Sequence, residues 1–173
     1  LITILLIENY NLYTMNKNKK IYLYLDDVRI PTEGEWEVVH NYDEFIAHIK
    51  LNGLENYEVI SLDHDLGESA MQEYYTNTKP NFSLDYNNIT EKTGLDCARY
   101  LVAESMTKKI PLPQIYVHSA NPIGSANIIG YVNNYFRNQK MPEICIKVNI
   151  EHTYNEFLTE EERHRRYKIM KNK

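Results

Sequence analysis

Three short apolar runs in this chain each stop abruptly on ionisable side chains. "IYLYL" (21–25) meets Asp26-Asp27, "VISL" (59–62) meets Asp63-His64-Asp65, and "QIYV" (114–117) meets His118-Ser119. Runs of this length without a helical period read as strands, and a strand that is apolar at successive positions is buried on both faces, as in a parallel sheet covered by helices. Open sheets of that kind bind ligands outside the carboxyl ends of their strands. Polar clusters closing three separate strands therefore predict the layer architecture and the edge at which a site lies.

The intervening segments supply the other elements. "WEVVH" (36–40) reads as a further strand. Asn41 followed by Glu44 has the spacing of a capping box, with Phe45, Ile46 and Ile49 as the apolar stripe of a helix ending near Asn52-Gly53. "TGLDCARYLVAESM" places Leu95, Ala98, Leu101 and Val102 on one helical face, and Pro122 opens a last helix whose apolar face is Ile128, Ile129, Val132 and Phe136. Residues 143–150 read as a fifth strand. Strands alternating with helices give an α/β fold with a mainly parallel five-stranded sheet in a three-layer sandwich. Only ten residues, 26–35, join the first two strands, and "RIPTEGE" within them reads as a loop. That is shorter than a usual parallel crossover, so the first helix is expected to be missing.

At 173 residues the chain suits one domain, 21–152, interrupted by a polar, aromatic segment at 68–92 without clear period. Residues 1–20 read as an extension whose first 14 positions, ahead of Met15, either precede the biological start or form a short extra strand or docking segment. Residues 153–173 read as a charged helix, acidic early and basic late. A net charge of -5 argues against a basic face for duplex DNA while leaving room for a nucleotide or an RNA end in a local pocket. The apolar stretch 1–7 is too short to span a bilayer, so no membrane is expected. Cys97 and Cys145 have no CxxC spacing and read as buried free thiols in a reducing cytoplasm.

Each polar cluster has a functional and a plain reading. Asp26, Asp27 and Asp63 have the oxygen chemistry of a Mg2+ site, or they are strand-end turn residues. Arg29 reads as a phosphate clamp, or as the ion-pair partner of Asp27. His64 and His118 have the intrinsic proton affinity for general acid–base work, with Asp65 orienting His64 or binding metal. Ser119 and Asn121, ahead of the helix at Pro122, read as donors to an anion held at that helix end, or as its caps. Hydrolysing a phosphodiester needs a base, an acid and positive charge at the nonbridging oxygens, and this set offers all three. Tyr74, Tyr75, Phe82 and Tyr86 give segment 68–92 the composition of a lid that stacks on a base, or of a surface insertion packed on the sheet.

The elements "YLDDVRIP", "ISLDHDLG", "TGLDCARYL" and "YVHSANPIG" together resemble the cyclic-phosphate processing receiver-like domain family over about residues 21–135. The resemblance implies a receiver-like sheet with acids at its edge. It also implies a hydrolase acting on a cyclic phosphate, either an RNA end or a cyclic nucleotide signal, through Asp26, Asp27, Arg29, Asp63, His64, Asp65, His118, Ser119 and Asn121, with Mg2+ or with no cofactor. Two alternatives stay open. One is a module that sequesters a cyclic nucleotide without turnover, as a virus would use against a host defence signal. The other is a phosphoacceptor receiver with Asp63 as nucleophile. Lys147 lies within a predicted strand, not at the end where such a receiver needs its lysine, and a plain receiver gives the two histidines no role.

Overall fold

The computed structural model describes residues 20–154, so the expectations for 1–19 and for the charged C-terminal helix beyond 154 lie outside the described residues. The elements in chain order are β1 (Ile21–Leu25), β2 (Arg29–Pro31), β3 (Trp36–Val39), α1 (Tyr42–Asn52), β4 (Tyr57–Leu62), α2 (Glu68–Glu73), α3 (Gly94–Lys108), β5 (Gln114–Val117), α4 (Pro122–Asn138), β6 (Ile146–Lys147) and β7 (His152–Tyr154). Five strands form one sheet in the order β3-β1-β4-β5-β6, every pair parallel. In this order the connections reverse direction between the first strand and its inner neighbour, here β1 and β4, placing a crevice at their carboxyl ends.

Register explains why the central strands read as continuous apolar runs. Leu23, Ile60 and Ile115 stand side by side, as do Leu25, Leu62 and Val117. Because successive side chains alternate faces, these six share one face. They join Phe45 and Ile49 of α1, Leu95, Ala98 and Leu101 of α3, and Ile128, Val132 and Phe136 of α4 in one core. Helix α3 touches both α1 and α4, so the helices pack in series. The opposite face is less apolar and carries Tyr22, Tyr24, Val59, Ser61 and Tyr116.

Local chemistry fixes the element ends. The Asn41 side chain accepts from the Glu44 amide at 2.9 Å while the Glu44 carboxylate accepts from the His40 amide at 2.8 Å. Such a cap contributes about 1 kcal/mol. A second capping box, Thr93 with Asp96, opens α3. Gly53, at φ 78°, ends α1 in a conformation that favours glycine.

Three segments differ from the sequence expectation. Residues 29–31, expected as loop, pair as β2 with β7 in antiparallel register, and the Thr32 amide reaches the Glu151 carbonyl at 3.0 Å. The connection from β1 to β3 thus carries a strand. The fifth parallel strand pairs over 146–147 only, short and exposed as an edge strand tends to be. Segment 68–92 is largely helical: α2 runs into a π-helical turn at Tyr74–Thr78, a helical turn at Lys79–Asn81 and a 3-10 turn at Tyr86–Asn88. Its order comes from two acids. Glu73, 2% exposed, accepts from the Asp85 amide (2.9 Å), Asn88 (2.9 Å) and Asn77 (2.8 Å). Glu91 accepts from the Ala70 amide at 2.8 Å and from the Ser69 hydroxyl.

Candidate functional site

Parity along the strands decides which polar side chains meet. Tyr24, Ser61 and Tyr116 stand side by side across β1, β4 and β5. Two residues on from each stand Asp26, Asp63 and His118, directed to that same face. Asp26 is fully buried and accepts four donors. Its Oδ1 takes the amides of Val28 (2.9 Å) and Arg29 (2.6 Å), and its Oδ2 takes Arg29 Nε (2.6 Å) and lies 3.3 Å from His118 Nε2. The other arm of Arg29 reaches Asp63 Oδ2 at 3.1 Å, so one guanidinium bridges two buried carboxylates.

The imidazole of His118 stacks on the Tyr24 ring at 4.1 Å between centroids and 14° between planes. Its Nδ1 lies 2.7 Å from the Ser61 hydroxyl. A carboxylate only accepts, so His118 Nε2 carries a hydrogen towards Asp26. Burial pushes both carboxyls up, but unequally. At Asp26 the His118 hydrogen bond and Arg29 outweigh burial and hold the group below the usual carboxylate range. At Asp63 burial and the neighbouring Asp26 charge outweigh Arg29, His118 and Ser119, and the group is raised. Asp63 is therefore the member of the pair that holds a proton more readily.

His64 belongs to a different group. It follows Asp63 by one residue, and that single step turns its ring away from Asp26 and His118, toward the helices. The ring is fully buried against Gly124 in the first turn of α4, where a Cβ would come within 2.3 Å of His64 Cγ. Its Nδ1 lies 2.6 Å from Asp65 Oδ1 and its Nε2 3.0 Å from the Tyr86 hydroxyl. Asn127 Nδ2 donates to the same hydroxyl at 3.0 Å. The structure thus brings Asp26, Arg29, Asp63 and His118 into one hydrogen-bonded group, and His64, Asp65 and Tyr86 into another. It does not bring the two histidines together: their hydrogen-bond partners are disjoint.

Ser119 and Asn121 join the two groups. Ser119 hydrogen-bonds Asp63 and accepts the Asn121 amide at 3.2 Å. Asn121 Oδ1 caps α4 through the Gly124 amide at 2.9 Å, while its Nδ2 donates to Asp65 at 3.1 and 3.3 Å. Both are buried and committed to internal bonds, so capping describes Asn121 better than ligand donation does. Arg29 and Asp65 keep partly exposed side chains, at 13% each, and Tyr86 is 36% exposed.

Asp26, Asp27 and Asp63 offer oxygen atoms within 4.8 Å of one another, all from buried residues, the donor type a hard divalent cation takes. As arranged, however, the set does not fit a resident cation. Both Asp26 oxygens are saturated by four donors, and Arg29 already bridges Asp26 to Asp63.

Several residues of this site lay outside the sequence reading. Ser61 and Tyr24 were readable as the i−2 neighbours of Asp63 and Asp26 on one strand face. Gly94, where a Cβ would meet the Asp63 carbonyl at 1.8 Å, and Gly124 stood inside the quoted motifs. Asn127, Glu73 and Glu91 carry no sequence signal for contacts made so far along the chain.

A parallel sheet of this order, with carboxylates closing its inner strands at the point of reversal, defines a receiver-like α/β domain. Its acid cluster differs from a simple phosphoacceptor pocket in holding an arginine and a histidine inside it. The chain belongs to the cyclic-phosphate processing receiver domain family, whose model matches residues 21–134. No curated protein and no solved structure matches it.

Proposed function

We propose that the protein is a phosphodiesterase-type hydrolase that opens a cyclic phosphate, on an RNA end or a cyclic nucleotide, with His118 as the proton-transfer group of the Asp26–Arg29–Asp63 cluster. The observation that carries this reading is the His118 Nε2–Asp26 contact at 3.3 Å, the loosest bond in an otherwise short-bonded cluster. Its hydrogen is the one most easily redirected to a ligand oxygen, and contacts of this kind tighten when substrate binds. Arg29 supplies the positive charge that steadies a developing phosphorane, in the place a divalent cation would otherwise take. Asp63, raised above the ordinary range, is suited to take a proton from an attacking water.

A second reading, capture of a cyclic nucleotide without turnover, is favoured by the burial of both imidazoles, each with both ring nitrogens engaged. Incubation with 2′,3′-cyclic mononucleotides, 3′,5′-cyclic mononucleotides and cyclic di- and oligonucleotides separates the two. The hydrolase reading expects one class to be turned over catalytically, with turnover lost in His118→Ala. Stoichiometric, releasable ligand in the wild type and no product overturns hydrolysis in favour of capture. The phosphoacceptor alternative has less support, because Lys147 is exposed on the edge strand β6.

A further inference from the structure

The sequence places a histidine at the end of β4 as though it faces substrate, yet His64 is fully buried and each of its ring nitrogens already has a partner. Donor and acceptor roles in this group follow from Asp65. A carboxylate only accepts, so His64 Nδ1 carries the hydrogen at 2.6 Å. In the neutral ring Nε2 is then an acceptor, and the Tyr86 hydroxyl donates to it at 3.0 Å. The Asn127 amide nitrogen, which can only donate, occupies one lone pair of the Tyr86 oxygen at 3.0 Å. Among the described residues nothing occupies the other lone pair of that oxygen, on the residue of this group that is most open to solvent, at 36%.

The contact is built on both sides. Asn121 fixes Asp65 through two contacts at 3.1 and 3.3 Å. On the other side Glu73 accepts from the Asp85 backbone amide before Tyr86 and from the Asn88 side chain after it, both at 2.9 Å. Without Cβ at Gly124, the first turn of α4 closes directly on the His64 ring and sets its plane.

We propose that the Tyr86 hydroxyl is the substrate-facing end of an Asp65–His64–Tyr86 chain, with His64 a positioning residue and Tyr86 the catalytic residue whose remaining lone pair accepts one hydrogen of the attacking water while Asp63 takes the other as the bond to phosphorus forms. Segment 68–92 is then the element that completes the site. This rests on the hydrolase reading above, but the chain itself is testable without turnover.

The full chain, its histidines labelled with 15N, is compared as wild type and Tyr86→Phe. The Nδ1–H tautomer is expected for His64, with its Nε2 resonance moving toward that of an unbonded ring nitrogen in the variant. An Nε2–H tautomer, or a resonance indifferent to the substitution, overturns the chain whether or not any cyclic phosphate is hydrolysed. Adding 2′,3′-cyclic AMP is expected to shift the Tyr86 ring resonances, and no shift on saturable binding overturns the ligand contact. Where the wild type hydrolyses this probe, Tyr86→Phe is expected to lower kcat about tenfold with KM unchanged, the loss of about one hydrogen bond. His64→Ala matches it, and the double variant loses no more than either single, as members of one chain do. Wild-type kcat in Tyr86→Phe overturns the assignment while the hydrolase reading stands. Absence of turnover in the wild type with the expected tautomer fails that reading and not the chain.

Discussion

Replacing Arg29 with glutamine removes the guanidinium that bridges Asp26 and Asp63, and its cost follows from the geometry. The side chain is 13% exposed and lies between carboxylates of 0% and 7% exposure. At an effective dielectric of about 20, unit charges 4 Å apart interact by about 4 kcal/mol. Breaking a buried pair from one side typically costs about 3–5 kcal/mol. The melting temperature of Arg29→Gln should therefore fall by about 6–20 °C at neutral pH, on the scaling for domains of about this size. The loss should be partly reversible by a divalent cation, because removing the guanidinium frees oxygens of Asp26 and Asp63 that it now covers. At a tenfold excess of Mg2+ over its Kd the gain is about 1.4 kcal/mol. That amounts to about 3–6 °C of recovery. The wild type should melt at one temperature in Mg2+ and in EDTA. Differential scanning calorimetry of both proteins, with and without Mg2+, measures all of this. A wild type stabilised by Mg2+ as strongly as the variant, or a variant within 1 °C of wild type, would refute the argument that Arg29 takes the cation's place.

The sign of the pH dependence follows from the two carboxyls. Asp63 is raised in the fold, so its ionisation costs stability as pH rises from the unfolded carboxyl range through its folded value; Asp26 is lowered, and its contribution is lost as pH falls below that range. Without the arginine both ionised forms are less favoured, so the Arg29→Gln deficit should shrink on acidification to about pH 5. Gly124→Ala would set a methyl 2.3–2.6 Å from ring atoms of His64, so it should cost about 1–3 kcal/mol in urea unfolding by overpacking, outweighing the roughly 1 kcal/mol that alanine gains in helix propensity. Glu73 is held below the usual carboxylate range because three hydrogen bonds outweigh the upward push of burial, so its contribution is present above that range and lost as pH falls. Glu73→Gln should speed amide exchange at 85–88 by about tenfold or more with the sheet still protected, and unchanged exchange there would show that the segment is held by something else. Burial pushes Cys145 up to about 12 and Cys97 upward as well, so neither thiol should react with Ellman's reagent at pH 8 until the protein is denatured, when both should.

How far the chain was legible differs from link to link. The strands and helices of the sheet layer were readable because apolar periodicity is local: Phe45 and Ile49, or Leu95, Ala98 and Leu101, announce their shared face at fixed spacing. The edge carrying the site was readable because each central strand ends on its own polar cluster. Parity within those clusters was not, since His64 and Asp63 look equivalent until a register places Asp63 opposite His118. That one-residue offset separates the two imidazoles that sequence alone groups into one acid–base pair. Segment 68–92 read as irregular because its order comes from two carboxylates capping distant amides, and such bonds leave no periodic trace. Strand β2 was missed for a related reason, since its partner lies more than 120 positions away.

That late partner sets an order of events during synthesis. The carboxylates of β1 and β4 and the imidazole of β5 are all on the nascent chain well before residues 152–154 emerge, and only then does the ladder opposite Arg29 close. Until that moment the arginine lacks the backbone brace that aligns it, and the acids face one another with their counter-charge unanchored. Residues 152–154 thus act as a late-made latch on the strand that carries Arg29.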